Sequence, residues 1–270
     1  DRLEPRARVD LVRDLVVASD LRRHRHAPDF VVGPGPASFT LARHVRPHPG
    51  GRLLDLGSGS GIQGLLLAGP GDDVVAIDIS PRAVAFTRLN ADLNGRRRIR
   101  PVLGDFLAEA PDRALDGRFQ TVVANPPFVL APSHDLLYRD RPLPGDEVGA
   151  RTVERVARAL APGGRGYVLC NWIDRGGEWS APVRTWLRGS GVDVSIARLA
   201  ALTPAAYAAT WTRDVEPDNR ATAAERWRTL LVAEGIGLIH VGVIAVSRPR
   251  LPRLRTRFVA RDMAASPSPG

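Results

Sequence analysis

Apolar residues fall in short blocks along the middle of the chain, each ending at glycine, proline or a polar loop residue. Strands are predicted at Arg52–Leu56, Val74–Asp78, Ile99–Leu103, Thr121–Ala124 and Gly166–Cys170. Between them the spacing changes to three and four residues, which predicts helices at about Ile62–Ala68, Pro81–Leu93 and Glu147–Leu160. Ser80 stands where a helix cap belongs, with Pro81 in the first turn, and Asn94-Gly95 closes the same helix. Pro162-Gly163-Gly164 predicts a turn before the next strand. Strands alternating with helices over short connections imply a parallel sheet wrapped by helices.

The two ends read differently. Val9, Val12, Val16 and Val17 have helical spacing, so a helix is expected over Val9–Leu21. Pro28–Pro36 reads as a loop, Ala37–Val45 as a short helix and Pro47–Gly51 as a turn. Beyond the alternating region come a helix at Trp179–Leu187, a strand at Val192–Leu199 and a long apolar strand at Ile236–Val246. Between the last two, Thr203–Ala233 is Ala-rich, carries Tyr207, Trp211 and Trp227, and reads as a helical insert. A late strand returning beside its predecessor implies an antiparallel hairpin at the sheet edge. From Pro249 onward the chain is Arg-, Pro- and Ser-rich and is expected to be disordered at its end.

Composition narrows the class. The 270 residues suffice for a full core, and 44% hydrophobic with 25% charged is the balance of a soluble globular protein. The apolar runs are too short and too often broken by charge to span a bilayer, and the N-terminal stretch has no apolar signal segment. Cys170 is the single cysteine, so no internal disulfide and no zinc cluster is expected, and no metal site is assigned. A cytoplasmic protein is the expectation. The net charge of +9 invites a nucleic-acid partner, yet all 38 basic residues are arginine, as GC-rich codon usage would give. Arg96-Arg97-Arg98 and the stretch Arg248–Arg261 hold much of the excess. A solvated surface and a polyanion-binding surface both remain open.

Candidate chemistry lies at the strand ends. Gly57, Gly59 and Gly61 follow a strand and precede a helix, where main-chain angles disfavour side chains and a ligand must approach the backbone. Gly59, Gly61 and Gly64 also satisfy dinucleotide-fingerprint spacing. Asp55, two residues before the first glycine, would repel a pyrophosphate but can bond an ammonium group. Asp78 ends the next strand, 23 residues after Asp55, where a carboxylate can accept ribose hydroxyls.

The run Leu53-Leu54-Asp55-Leu56-Gly57-Ser58-Gly59-Ser60-Gly61 resembles the first motif of class I S-adenosylmethionine-dependent methyltransferases. The resemblance covers roughly Val31 to Trp172. It implies S-adenosylmethionine as cofactor, held by Asp55, Gly57, Ser58, Gly59 and Gly61, with Asp78 and Ile79 at the ribose. Asp105 matches the position that binds the adenine amine, and Phe106 would flank the ring. The implied fold is α/β: a Rossmann-like, doubly wound, mostly parallel seven-stranded sheet with an antiparallel edge hairpin and an N-terminal helical segment. The expected organisation is a helical segment and cofactor-covering loop over 1–46, a methyltransferase domain over 47–248 with the insert at 203–233, and a basic tail over 249–270. The segment Phe30–Pro36 lies where this family folds over the cofactor.

Asn125-Pro126-Pro127-Phe128 closes the fourth strand and is similar to the Asn-Pro-Pro-aromatic motif of methyltransferases that act on exocyclic or amide nitrogens. A planar NH2 offers two hydrogens, which the Asn125 side-chain oxygen and the Pro126 carbonyl can accept. That pins the nitrogen with its lone pair toward the methyl donor, and no strong base is needed. Two prolines stiffen the loop, and Phe128 can stack on a planar acceptor. Downstream, His134, Tyr138 and Arg139 are candidate acceptor contacts.

An N-methyltransferase is therefore expected, with in-line transfer to an amide or exocyclic amine. The acceptor is left open among a protein glutamine, a nucleobase of RNA or DNA, and a small metabolite. Phe128 stands where release-factor glutamine methyltransferases usually carry Tyr. A small-molecule methyltransferase and a non-catalytic nucleoside- or nucleic-acid-binding protein on the same fold are the alternatives. Oligomeric state is not legible.

Overall fold

The computed structural model describes residues 6–108, 115–132, 137, 145–174, 176–213, 215, 217–251 and 256–264. Two strands, β1 (Arg8–Val12) and β2 (Leu15–Ser19), form an antiparallel hairpin ahead of helix α1 (Pro36–His44). Then follow β3 (Arg52–Leu56), α2 (Ile62–Leu67), β4 (Asp73–Asp78), α3 (Pro81–Leu93), β5 (Ile99–Leu103), β6 (Phe119–Ala124), α4 (Glu147–Ala159) and β7 (Leu160–Asp174). The remainder is α5 (Ala181–Trp186), β8 (Asp193–Leu202), α6 (Pro204–Trp211), α7 (Pro217–Ala233), β9 (Leu238–Ser247) and β10 (Phe258–Asp262). No described helix is long and apolar enough to cross a membrane.

The main sheet has eight strands in the order β10-β8-β9-β7-β6-β3-β4-β5. From β5 through β7 every pairing is parallel, and β9 runs antiparallel to both β7 and β8. The chain starts in the middle at β3, moves to one side through β4 and β5, and returns to β6 and β7 on the other. Parallel strands buried on both faces need continuous apolar runs. Leu53, Leu54, Leu56, Val122, Val123 and Ala124 supply them, each at most 2% exposed. One core lies between the sheet and the α4 face, and a second between the sheet, α1, α2 and the hairpin.

Three expectations are corrected. The predicted helix over Val9–Leu21 is the β1–β2 hairpin, turning at Arg13-Asp14, with Arg13 at φ 56°. The segment is rich in β-branched Val, and its partner is α3 rather than solvent. The Asn94 amide bonds both main-chain groups of Val16, taking its N–H at 2.9 Å and donating to its carbonyl at 2.7 Å. Asn90 does the same at Ala18, at 2.7 and 2.8 Å. Four residues along a helix advance about 6 Å, and two along a strand about 6.7 Å, so two amides one turn apart match alternate strand residues. Such pairing needs extended backbone on the other side.

Among the described residues the main sheet has eight strands where seven were expected, because Phe258–Asp262, within the segment read as a basic tail, pairs parallel with β8. The antiparallel pair therefore lies inside the edge rather than on it. Arg198 pairs with Asp262, and the Arg184 guanidinium lies 3.7 Å from the Phe258 ring centroid, which fixes this added strand. Finally, Pro162-Gly163-Gly164 makes no separate turn. The segment is an irregular start to β7, with Phe119 opposite Leu160 but Thr121 opposite Arg165.

Asn90 is fully buried and also donates to the Ser60 carbonyl at 2.8 Å. Asn90→Ala strands three backbone groups and is expected to cost roughly 2–4 kcal/mol in urea unfolding. Asn94→Ala, at a half-buried site, is expected to cost roughly 1 kcal/mol. Equal, negligible losses would remove the amide docking as the reason for the hairpin.

Candidate active site

The glycine loop and the Asn-Pro-Pro-Phe loop begin side by side because β3 and β6 are neighbours, with Leu56 opposite Ala124. The next residues on each strand are Gly57 and Asn125. A parallel sheet opens a crevice where its winding reverses, beyond the C-terminal strand ends. Here that place is β3/β6, and a cavity of about 330 Å³ occupies it.

Gly57, Gly59 and Gly61 all have positive φ, at 72°, 55° and 77°. The Gly57 and Ser58 N–H groups both donate to the Ile77 carbonyl, at 2.9 and 3.0 Å, folding the loop over the end of β4. A Cβ on Gly61 would stand 3.0 Å from Thr87 Cγ2, so close packing on α3 also demands glycine there. Thr87 Oγ1 in turn donates to the Gly59 carbonyl at 3.0 Å. Asp78 accepts from Gly59 N–H at 2.8 Å and Ser80 N–H at 2.9 Å, so its carboxylate organises the loop and faces the cavity together. Burial holds its pKa above the ordinary carboxylate value despite those bonds.

Of the expected cofactor residues, Gly57, Ser58, Gly59, Asp78, Ile79, Asp105 and Phe106 line the cavity. Asp105 is fixed by accepting from Leu107 N–H at 2.9 Å. Asp55 and Gly61 are not on the cavity wall. Asp55 is 1% exposed and lies behind it, with Oδ2 accepting from Gly64 N–H at 3.2 Å and Oδ1 without a hydrogen-bond partner. Burial is the main cause that raises its pKa to about 7.

Asn125, Pro126, Pro127 and Phe128 all line the same cavity. The Phe128 ring is partly buried where three apolar clusters meet, which holds it as a fixed wall. Downstream, Leu130 N–H donates to Tyr207 Oη at 3.1 Å, and the Asn171 amide donates to the same oxygen at 2.9 Å. Tyr207, in α6 of the insert, thereby ties the loop's exit to β7. One turn on, Trp211 reaches the cavity. His134, Tyr138 and Arg139 lie outside the described residues.

The segment from Asp29 to Gly33 also lines the cavity. Asp20, 2% exposed, holds it there. Its carboxylate accepts from Val31 N–H at 2.9 Å, its own N–H donates to the Val31 carbonyl at 3.1 Å, and Arg82 pairs with it through two nitrogens. Burial pushes the Asp20 pKa up, but Arg82 and the Val31 N–H outweigh that and leave it below the ordinary value. Sequence reading missed Asp20, Arg82, Asn90 and Gln63. Only Gln63 carries a local signal, being a polar residue inside the apolar run Ile62–Leu67.

The model of the methyltransferase small domain family matches residues 34–172, just over half of the chain. The chain belongs to this family, which bears out its resemblance to class I S-adenosylmethionine-dependent methyltransferases. A ribosomal protein L11 methyltransferase of Thermus thermophilus is 32% identical over 152 residues, 56% of this chain and 48% of that protein. A release factor glutamine methyltransferase of Rhodospirillum rubrum is 42% identical over 90 residues, 32% of this chain and 26% of that one. A ribosomal RNA small subunit methyltransferase C of Pseudomonas aeruginosa is 29% identical over 170 residues, 60% of this chain and 46% of that one. The chain thus spans about half, or less, of the length of these relatives.

Asp55 makes stability depend on pH. A carboxyl whose pKa is raised on folding favours the folded state while protonated, and that contribution is lost as pH rises from about 4 to about 7. Asp55→Asn escapes the loss. Without ligand it is expected to match wild type near pH 4 and to exceed it by roughly 2–4 kcal/mol at pH 8. Urea unfolding across pH checks this, and a gap that does not widen with pH overturns it.

Proposed function

We propose that the protein is an S-adenosylmethionine-dependent N-methyltransferase acting on a planar amide or exocyclic amine nitrogen. The observation that carries this reading is that Asn125-Pro126-Pro127-Phe128 shares one cavity with the glycine loop, Asp78, Asp105 and Phe106. The residues present suit the cofactor. Asp78 faces the cavity with a carboxylate for ribose hydroxyls, Asp105 and Phe106 stand beyond it for the adenine, and Ser60 and Gln63 bring buried oxygens without hydrogen-bond partners.

When bound, the cofactor supplies an electrophilic methyl on a sulfonium. The protein's part is placement. Asn125 Oδ1 and the Pro126 carbonyl accept the two hydrogens of the acceptor nitrogen, so its lone pair stands clear of the amide or ring plane. Phe128 and Trp211 bound the acceptor side. The dipoles of the clamp stabilise positive charge on the nitrogen as the new bond forms, and its proton leaves afterwards to solvent. No side chain need act as a strong base.

The acceptor we favour is a component of the translation apparatus, either a protein amide or amine or an RNA base, in the cytoplasm. The names of the three relatives support this choice, and the excess of arginine suits an RNA or ribosomal setting. A small metabolite is the competing acceptor, motivated by the aromatic insert that reaches the cavity. Radiolabelled S-adenosylmethionine, offered with whole-cell RNA, protein and metabolite fractions, decides which fraction takes label. Asn125→Ala is expected to lower labelling at least about a hundredfold while cofactor affinity stays within about threefold. Equal labelling by wild type and Asn125→Ala would defeat the clamp assignment.

A further inference from the structure

Helix α6 carries two large side chains, Tyr207 and Trp211, among proline, alanine and threonine. They stand four residues apart and so share one face. Tyr207 is 1% exposed and fixes the helix. Its Oη accepts from the Leu130 N–H and the Asn171 amide, and its ring packs against Trp227 of α7 with centroids 6.1 Å apart. Thr203 caps the helix start by accepting from Ala206 N–H at 3.3 Å. The rotation and height of α6 are thus set, and with them the place of Trp211. That indole is half-buried. It meets the Tyr207 ring at 6.1 Å and 57°, and it also borders the cavity.

Trp211 stands at the clamp's end of the cavity. It packs, with Phe128 and Leu130, on the apolar cluster that includes Val129, Ile173 and Ile239. Two aromatic rings, one from the clamp and one from the insert, therefore line the part of the cavity that receives the acceptor. A side-chain carboxamide is a small plane on a flexible stem, and the Phe128 face suffices for it. A second, larger aromatic surface adds affinity for an acceptor that itself has a ring to stack. Charge narrows the choice further. The charged residues among the described lining are Asp29, Asp78 and Asp105, all acidic. The ring that enters is therefore uncharged or cationic, and any phosphate attached to it stays outside the cavity.

We propose that Trp211 is the acceptor-specificity residue: its indole stacks on the ring that carries the methylated nitrogen, so the substrate is an exocyclic amine of a heteroaromatic ring and not a side-chain carboxamide. This rests on the N-methyltransferase reading above and deepens it. Helix α6 lies outside residues 34–172, so the preference comes from the insert and not from the part of the chain that the family model matches. The bond changes are those of the clamp. A nitrogen–carbon bond forms as the sulfur–carbon bond breaks, the sulfur keeps the electron pair and becomes a neutral thioether, and the nitrogen gives one proton to solvent. A base in a nucleic acid and a free aromatic metabolite share this chemistry, and the fraction that takes label tells them apart.

Two readouts test it. Wild type is incubated with radiolabelled S-adenosylmethionine and whole-cell RNA, protein and metabolite fractions, and the labelled product is digested enzymatically and identified. Label is expected on a ring amine. Label on a carboxamide nitrogen overturns the inference and leaves the N-methyltransferase reading standing, whereas label on no planar nitrogen overturns both. The labelled fraction then serves as acceptor for the variants. Trp211→Leu, which keeps apolar bulk and removes the aromatic face, is expected to raise KM about tenfold or more with kcat little changed. Trp211→Phe is expected to recover most of that loss, and both variants are expected to bind S-adenosylhomocysteine like wild type. A wild-type KM in Trp211→Leu overturns the inference, as does an equal rise in Trp211→Leu and Trp211→Phe. Should Trp211→Leu fold poorly, the position of the label decides alone.

Discussion

The pairing of β3 with β6 is the constraint on which the site depends. These strands are joined in parallel register at the point where the sheet's winding reverses, so two loops that share no sequence feature must leave it together. A slip of one residue would exchange the faces of β6 and carry Asn125 away from the glycines. The register is held by side chains with no chemical role, Leu54, Leu56, Val122 and Ala124, all fully buried. The precision of the cavity is therefore a product of core packing at the strand ends.

Helix α3 adds a second layer of order. One face of it touches three parts of the cavity's surroundings. Thr87 holds the Gly59 carbonyl, Asn90 joins Ser60 to the hairpin, and Arg82 pairs with Asp20, which holds Val31 at the cavity wall. The glycine loop and the Asp29–Gly33 segment are thus referred to the same helix. Pro81 and Ser80 place the start of that helix directly after Asp78, so Asp78 and the Arg82 that pairs with Asp20 are four residues apart.

The alternating centre of the fold was legible because period, caps and turns agreed there, and the motif residues lie where strand ends put them. The hairpin was misread because Val9, Val12 and Val16 repeat at intervals compatible with a helix, while what decides the matter, the amides of Asn90 and Asn94, is more than seventy residues away. The strand Phe258–Asp262 was hidden by the arginines around it, which read as a solvated tail, whereas what fixes it comes from other elements: Arg198 of β8 pairs with Asp262 and Arg184 of α5 lies over Phe258. In the site, Gly57 and Asp78 were singled out by their spacing after strands, Asp105 and Asn125-Pro126-Pro127-Phe128 by the family resemblance, and all of them line one cavity. Asp55 was misjudged as a cavity residue, since sequence shows that a carboxylate ends a strand but not which way the pleat turns it. Asp20 and Gln63 were missed because their partners come from other elements.

The insert α6–α7 leaves the sheet after β8 and rejoins it at β9, downstream of the residues matched by the family model. It meets the rest of the site through Tyr207, Trp211 and the apolar cluster around Val129 and Ile239. Apart from Trp211, the described residues that line the cavity all precede the insert. Mutation can therefore reshape one wall while the other keeps its form. The cavity is thus open to change from a single direction: α6 can alter what stands at Trp211 while the backbone that shapes the glycine loop stays as it is.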